Sequence, residues 1–175
     1  MTDSQSQPIL WSAILGLAAI VGSYGLACVF PFAAMAALGA VTLDARRGAL
    51  FVGAVWLANQ IVGFTLMSYP HDAQAYVWGA AILASALLAF AAARAVAGPS
   101  RHLVAWRTLG ALAAAIAADQ AAMFVWAVAL DGLASSTPAI VAAVAAQDIL
   151  WFAGLMAARM LLERTVLRRA LPATS

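Results

Sequence analysis

A chain of 175 residues that is 66% hydrophobic and 9% charged, with mean hydropathy +0.96, lies outside the range of soluble domains of this size. The formal net charge is only +2, so the basic isoelectric point reports few titratable groups and not a nucleic-acid surface. Lys is absent and all nine Lys/Arg positions are Arg, which excludes a P-loop lysine, a Schiff-base lysine and the usual cradle for ATP hydrolysis. The single Cys, Cys28, excludes an internal disulfide or a multi-Cys metal site and reads as a small buried hydrophobe.

The amino end, Met1 to Pro8, lacks the basic region of a signal peptide, so the first apolar run is expected to be retained. That run continues from Ile9 to Leu43, too long for one crossing of a hydrocarbon core of about 30 Å. Pro31 cannot donate to a helix ladder and divides it. The first predicted helix is then Ile9–Val29. The second, Phe32–Leu43, is barely long enough to cross and is either tilted or re-entrant within protein. Four further helices are expected over about Ala49–Tyr69, Tyr76–Val96, Trp106–Leu130 and Ala139–Leu162, separated by turns rich in Pro, Gly and Asp. The fold class is therefore all-α, a polytopic membrane bundle of six transmembrane helices in one unit spanning the chain.

Arginine orients it. Arg46 and Arg47 lie in one turn, Arg94, Arg101 and Arg107 flank another, and Arg159, Arg164, Arg168 and Arg169 lie near the carboxyl end. The two alternate turns carry Asp72 and Asp131 and no Arg. With alternating crossings every Arg falls on one side, as the positive-inside rule requires. The carboxyl terminus of this multi-pass chain is then expected in the cytoplasm of an inner (plasma) membrane. The amino terminus joins it if the second helix crosses, giving the favoured six spans, and lies outside with five spans if that helix is re-entrant.

Three apolar runs carry polar pairs at their centres: Asn59-Gln60, Asp119-Gln120 and Gln147-Asp148. Amides and acids at such depth can tie helices together for roughly 0.6–2 kcal/mol each. Two of the six are carboxyls, however, and a bare carboxylate at mid-depth costs several kcal/mol. The nearest Arg, Arg159, is about 16 Å along the helix from Asp148. The acids are expected to be protonated or to receive an incoming cation. Helical spacing places Trp56 with Asn59 or Gln60 and Gly63, Asp119 with Met123 and Trp126, and Asp148 with Trp151, Leu155 and Arg159. Trp56, Trp126 and Trp151 could form an aromatic cage beside the acids for a flat or cationic ligand. Trp11, Trp78 and Trp106, near run ends, fit an interfacial belt. His71 and His102 fall in turns on opposite sides and read as interfacial residues, not as ligands of one metal. Ala33/Ala37 and Ala36/Ala40 give the second predicted helix a surface of small residues suited to close packing within the bundle. No nucleophile–base pair is legible, so an enzyme is not expected, and no cofactor or metal is implied.

Pro31-Phe32, the short Ala-rich helix after it, and the turn Leu43-Asp44-Ala45-Arg46-Arg47-Gly48-Ala49-Leu50 resemble the S component, the substrate-binding membrane subunit of energy-coupling-factor vitamin transporters. Ala45 stands where that family's turn usually carries Pro. The resemblance implies capture of a vitamin or vitamin precursor in the bundle, and partners in the form of a transmembrane coupling subunit and ATPases. The two Asp and the Trp residues favour a cationic or polar heteroaromatic ligand, held by Trp56, Asn59, Gln60, Asp119, Gln120, Trp126, Gln147, Asp148 and Trp151. Two other expectations fit the same residues: a stand-alone proton- or cation-coupled carrier with Asp119 and Asp148 as relay, and a non-catalytic structural subunit of a membrane complex.

Overall fold

A computed structural model describes residues 30–98 and 105–170. The predicted helix Ile9–Val29, with Trp11 and Cys28, lies outside the described residues, as do Arg101 and His102. The described residues form an all-α arrangement: α1 (Phe32–Thr42), α2 (Ala45–Leu66), α3 (Ala73–Ala97), α4 (Ala105–Ala129), a single 3-10 turn at Leu133–Ser135, and α5 (Pro138–Ala170). Four helices are long and apolar enough to cross a membrane: α2, α3, α4 and the Pro138–Leu162 part of α5. Their uncovered faces carry Leu57, Ile61, Leu88, Phe124, Val125 and Leu150, a surface suited to lipid.

The starts of α2 and α3 fall about three or four residues earlier than the expected boundaries, because two acids read as turn residues are N-caps. Asp44 accepts from the Arg47 amide at 2.9 Å and Asp72 from the Ala75 amide at 2.8 Å, so each opens a helix and does not merely punctuate a turn. The end of α2 comes earlier than Tyr69, since Ser68 adopts a left-handed φ of 55° and the Tyr69 amide turns back to the Gly63 carbonyl at 3.1 Å. At the other extreme α5 runs past the expected end at Leu162 and remains helical to Ala170.

α1 is the hub. Its sequence is apolar on every side, and a helix with no polar face must be surrounded. Residues Ala33 to Ala40 are all buried, and α1 touches each of α2, α3, α4 and α5. The expectation that its alanines serve packing within the bundle holds. The small residues of its neighbours explain how it fits. α3 presents Ala81, Ser85, Ala89, Ala93 and Ala97 at four-residue intervals, and α4 presents Ala111, Ala115 and Asp119 in the same way, all buried. At 11 residues α1 is about 16 Å long, roughly half the thickness of a hydrocarbon core.

The α1–α2 approach depends on Gly48. A Cβ there would stand 2.5 Å from the Phe90 ring and 3.1 Å from the Gly39 carbonyl. The ring could yield only by displacing a packed core, and the carbonyl belongs to the α1 backbone. Gly48→Ala is therefore expected to destabilise the protein by about 1–2 kcal/mol, read as a lower Tm in detergent, while Gly53→Ala, with open space at its Cβ, leaves Tm unchanged.

Candidate functional site

The head of α1 has a problem that its own sequence cannot solve. Pro31 (φ −79°, ψ 64°) makes an inverse γ-turn, in which the Phe32 amide returns to the Phe30 carbonyl at 2.8 Å, and the helix then begins with the Met35 amide on the Pro31 carbonyl. Pro31 carries no side chain that can accept a hydrogen bond, so the first-turn amides are left without a local partner. In a buried, apolar setting each unpaired amide costs about 1–3 kcal/mol. The partner comes from α5. The Asp148 carboxylate accepts from the Ala34 amide at 2.9 Å across a separation of 114 residues, and the Ala33 amide approaches the same carboxyl. Asp148 is thus the N-cap that α1 lacks, supplied by another helix. The partial positive charge of a helix start, about +0.5, offsets part of its negative charge.

The tail of α1 is treated in the same way with the opposite sign. Arg94 of α3 donates from Nη1 to the carbonyls of Ala40 at 2.8 Å and Leu43 at 2.9 Å. A cation thus sits at the negative end of α1 and an anion at its positive end, the pairing that a helix dipole favours. Backbone groups at both ends of α1 are thus satisfied by side chains of neighbouring helices.

Asp148 is completely buried at 0% exposure, and its second oxygen, Oδ2, has no hydrogen-bond partner among the described residues. Asp119 of α4 is also buried, at 7% exposure, on a helix that contacts α5. Trp151, Phe152, Leu155 and Met156, the next turns of α5, belong to the apolar core around α1, which puts Trp151 and Leu155 of the expected stripe inward. The site is therefore two buried acids, one on α4 and one on α5, with the start of α1 set against the second of them.

Trp56 donates its indole N–H to the Gly79 carbonyl of α3 at 2.8 Å, and the Gln60 amide lies against the same glycine, where a Cβ would stand 2.8 Å from Oε1. These two side chains join α2 to α3. Asn59 and Gln147 are half-buried and have partners of their own. Gln120 and Trp126 are half-buried on α4, and no hydrogen bond among the described residues joins either to the acid pair. Among the described residues Trp151 packs beside the α1 core, and Trp56 is engaged with α3. Replacing Trp56 by Phe keeps the ring and removes the donor, which is expected to cost about 1 kcal/mol and to lower Tm in detergent.

At the end of the bundle opposite Arg94, Phe64 stacks on Tyr76 at 5.1 Å, His71 lies 3.2 Å from the Tyr76 hydroxyl, and Trp78 covers Gly132. Trp106, on the Arg-rich end, is exposed, with the Arg107 guanidinium 5.2 Å from its ring centre. Aromatic residues at both ends fit the expected interfacial belts.

Two contributors escaped the sequence reading. Ala33 and Ala34 act through backbone amides, which leave no side-chain mark; the only available signal was Pro31 flanked by Phe30 and Phe32, a helix start with no capping side chain. Arg94 reads from the sequence only as a topological charge, and its place at the tail of α1 comes from the fold. No protein-family model matches the chain, and neither the curated proteins nor the solved structures provide a match.

Proposed function

We propose that the protein is a membrane-embedded substrate-binding subunit of a small-molecule importer, with the Asp119–Asp148 pair as the polar centre that receives a cationic ligand. One observation carries this reading: two acids are buried near the middle of two helices that contact each other, and only one of them caps the start of α1. Retaining a second, uncompensated acid at that depth costs several kcal/mol, which an incoming positive group would offset. A half-length helix whose start lies at the centre of a bundle is also the kind of element on which transporters build binding sites. On this reading the chain resembles the S component of vitamin importers, works with a transmembrane coupling subunit and ATPases, and has six spans with both termini in the cytoplasm of an inner membrane. The clustering of Arg46, Arg47 and Arg94 at one end supports that orientation.

The test is mass spectrometry of small molecules carried through purification in mild detergent. A stoichiometric cationic compound bound to the wild type and lost in Asp119→Ala supports the proposal. Equal ligand content in Asp119→Ala and wild type refutes the site.

A second reading has its own observation. Asp148, Arg94 and Trp56 all satisfy backbone groups of neighbouring helices, as they would in a purely structural subunit of a membrane complex. That reading expects a stable co-purifying protein, no small ligand, and full tolerance of Asp119→Asn.

A further inference from the structure

The Arg-rich end of the bundle carries a surface that the buried acids do not use. We propose that Arg46, Arg47, Trp106 and Arg107, with Leu50 and Leu109 a turn below them, form a binding surface for an anionic phospholipid. This surface is independent of Asp119 and Asp148 and of any ligand they receive.

Two contacts bring these residues to one end. Arg94, near the end of α3, donates to the Leu43 carbonyl at 2.9 Å and so holds the start of α2 beside the end of α3. Gly98, which closes α3, lies against Arg107, whose Nη1 is 3.6 Å from where a Cβ on that glycine would stand. The first turns of α2 and α4 therefore flank the end of α3. Arg46 and Arg47 are exposed on the first of them. On the second, Trp106 is 65% exposed and the half-buried Arg107 holds its guanidinium 5.2 Å from the indole centre. Among the described residues no acid pairs with Arg46 or Arg107, and Asp44 meets Arg47 at 3.4 Å in an exposed contact. Nothing within the helices rewards these charges, because a basic group in a first turn meets the positive end of the helix dipole. An anion supplied from outside would offset both.

The apolar half of the surface selects a lipid over a free phosphate. Leu50 follows Arg46 and Arg47 by four and three residues, and Leu109 follows Trp106 by three, so each leucine shares a helix face with the group above it. Both leucines are 64% exposed, and they lie about 5 Å further along their helices. Guanidinium and indole at one depth, with bare leucine a turn below, follow the order of a phospholipid: phosphate first, acyl chain next. The planar fork of Arg matches phosphate oxygens, and basic groups at a membrane surface are drawn to anionic headgroups. Trp106 adds the amphipathic ring that favours the headgroup level.

The experiment reconstitutes the full chain in vesicles of equal parts dioleoyl phosphatidylglycerol and dioleoyl phosphatidylcholine, whose acyl chains are identical. The protein is then purified in a mild uncharged detergent, and the retained lipids are counted by mass spectrometry. Wild-type protein is expected to retain phosphatidylglycerol over phosphatidylcholine by about threefold or more. The double variant Arg46→Gln, Arg107→Gln is expected to keep the wild-type Tm and to bring that ratio close to one. Should the double variant fail to fold, each single variant reads the same ratio and is expected to lower it. Excess soluble glycerol phosphate during purification is expected to leave the retained lipid in place; displacement by it would show a free-phosphate site and overturn the lipid assignment. Equal retention of the two lipids by the wild type, or a wild-type ratio in the Arg variants, would overturn it as well. An acidic protein retained in place of lipid would do the same. The ligand content of Asp119→Ala is a separate measurement, so this inference and the importer reading fail separately.

Discussion

Asp148→Ala is expected to destabilise the protein by about 2–4 kcal/mol, the largest effect of any single polar substitution in the bundle. The change removes the cap at the head of α1 and leaves the Ala34 amide, and the Ala33 amide near it, buried without an acceptor. A lost N-cap costs about 0.5–2 kcal/mol, and a buried unsatisfied donor about 1–3 kcal/mol. Because α1 contacts every other described helix, loosening its first turn loosens the whole arrangement. Asp148→Asn is the informative control. Its side-chain oxygen can still accept from Ala34, so a loss below about 1 kcal/mol is expected. The comparison is read as Tm of both variants in the same detergent. Equal losses would mean that charge, not capping, is what α1 needs from α5.

Arg94→Ala is expected to cost about 2–3 kcal/mol at the other end of the same helix. One guanidinium nitrogen bridges two carbonyls, those of Ala40 and Leu43, and hydrogen bonds from a charged donor are worth about 1.5–3 kcal/mol. Arg94→Lys keeps the charge but replaces a planar fork with a point donor, so partial recovery is expected. Asp148 and Arg94 act on opposite ends of α1 and share no partner. Their effects should add to within about 0.5 kcal/mol in the double variant. A much smaller combined loss would show that the two caps are not independent.

Much of this was legible before any coordinates. Asp119 and Asp148 mark the buried faces of their helices, because an apolar run tolerates an acid only where protein covers it. The alternation of Arg-bearing and Arg-free turns placed Arg46, Arg47 and Arg94 together, and the bond from Arg94 to Leu43 joins those regions. What sequence could not supply was the partner of each polar side chain. Asp148 pairs with a main-chain amide 114 residues away, and backbone donors look alike in every residue but Pro. The acid therefore read as lacking a counter-charge when a helix start provides one. Trp56 likewise read as part of a ligand cage because its spacing showed that it faced inward; only the fold reveals that a bare carbonyl at Gly79 waits for its N–H. Helix starts were misplaced for a similar reason. Asp44 and Asp72 are equally good as turn residues and as N-caps, and the choice depends on whether the next three residues are free to wind.

The most direct test of the arrangement is amide hydrogen exchange at Ala34, followed by NMR on labelled protein in detergent. An amide in the first turn of a helix has no intrahelical acceptor and exchanges rapidly unless something caps it. Slow exchange at Ala34 is expected in the wild type and in Asp148→Asn, and fast exchange in Asp148→Ala. Rapid exchange in the wild type, or the same rate in all three proteins, would contradict a central helix held at its start by an acid from α5.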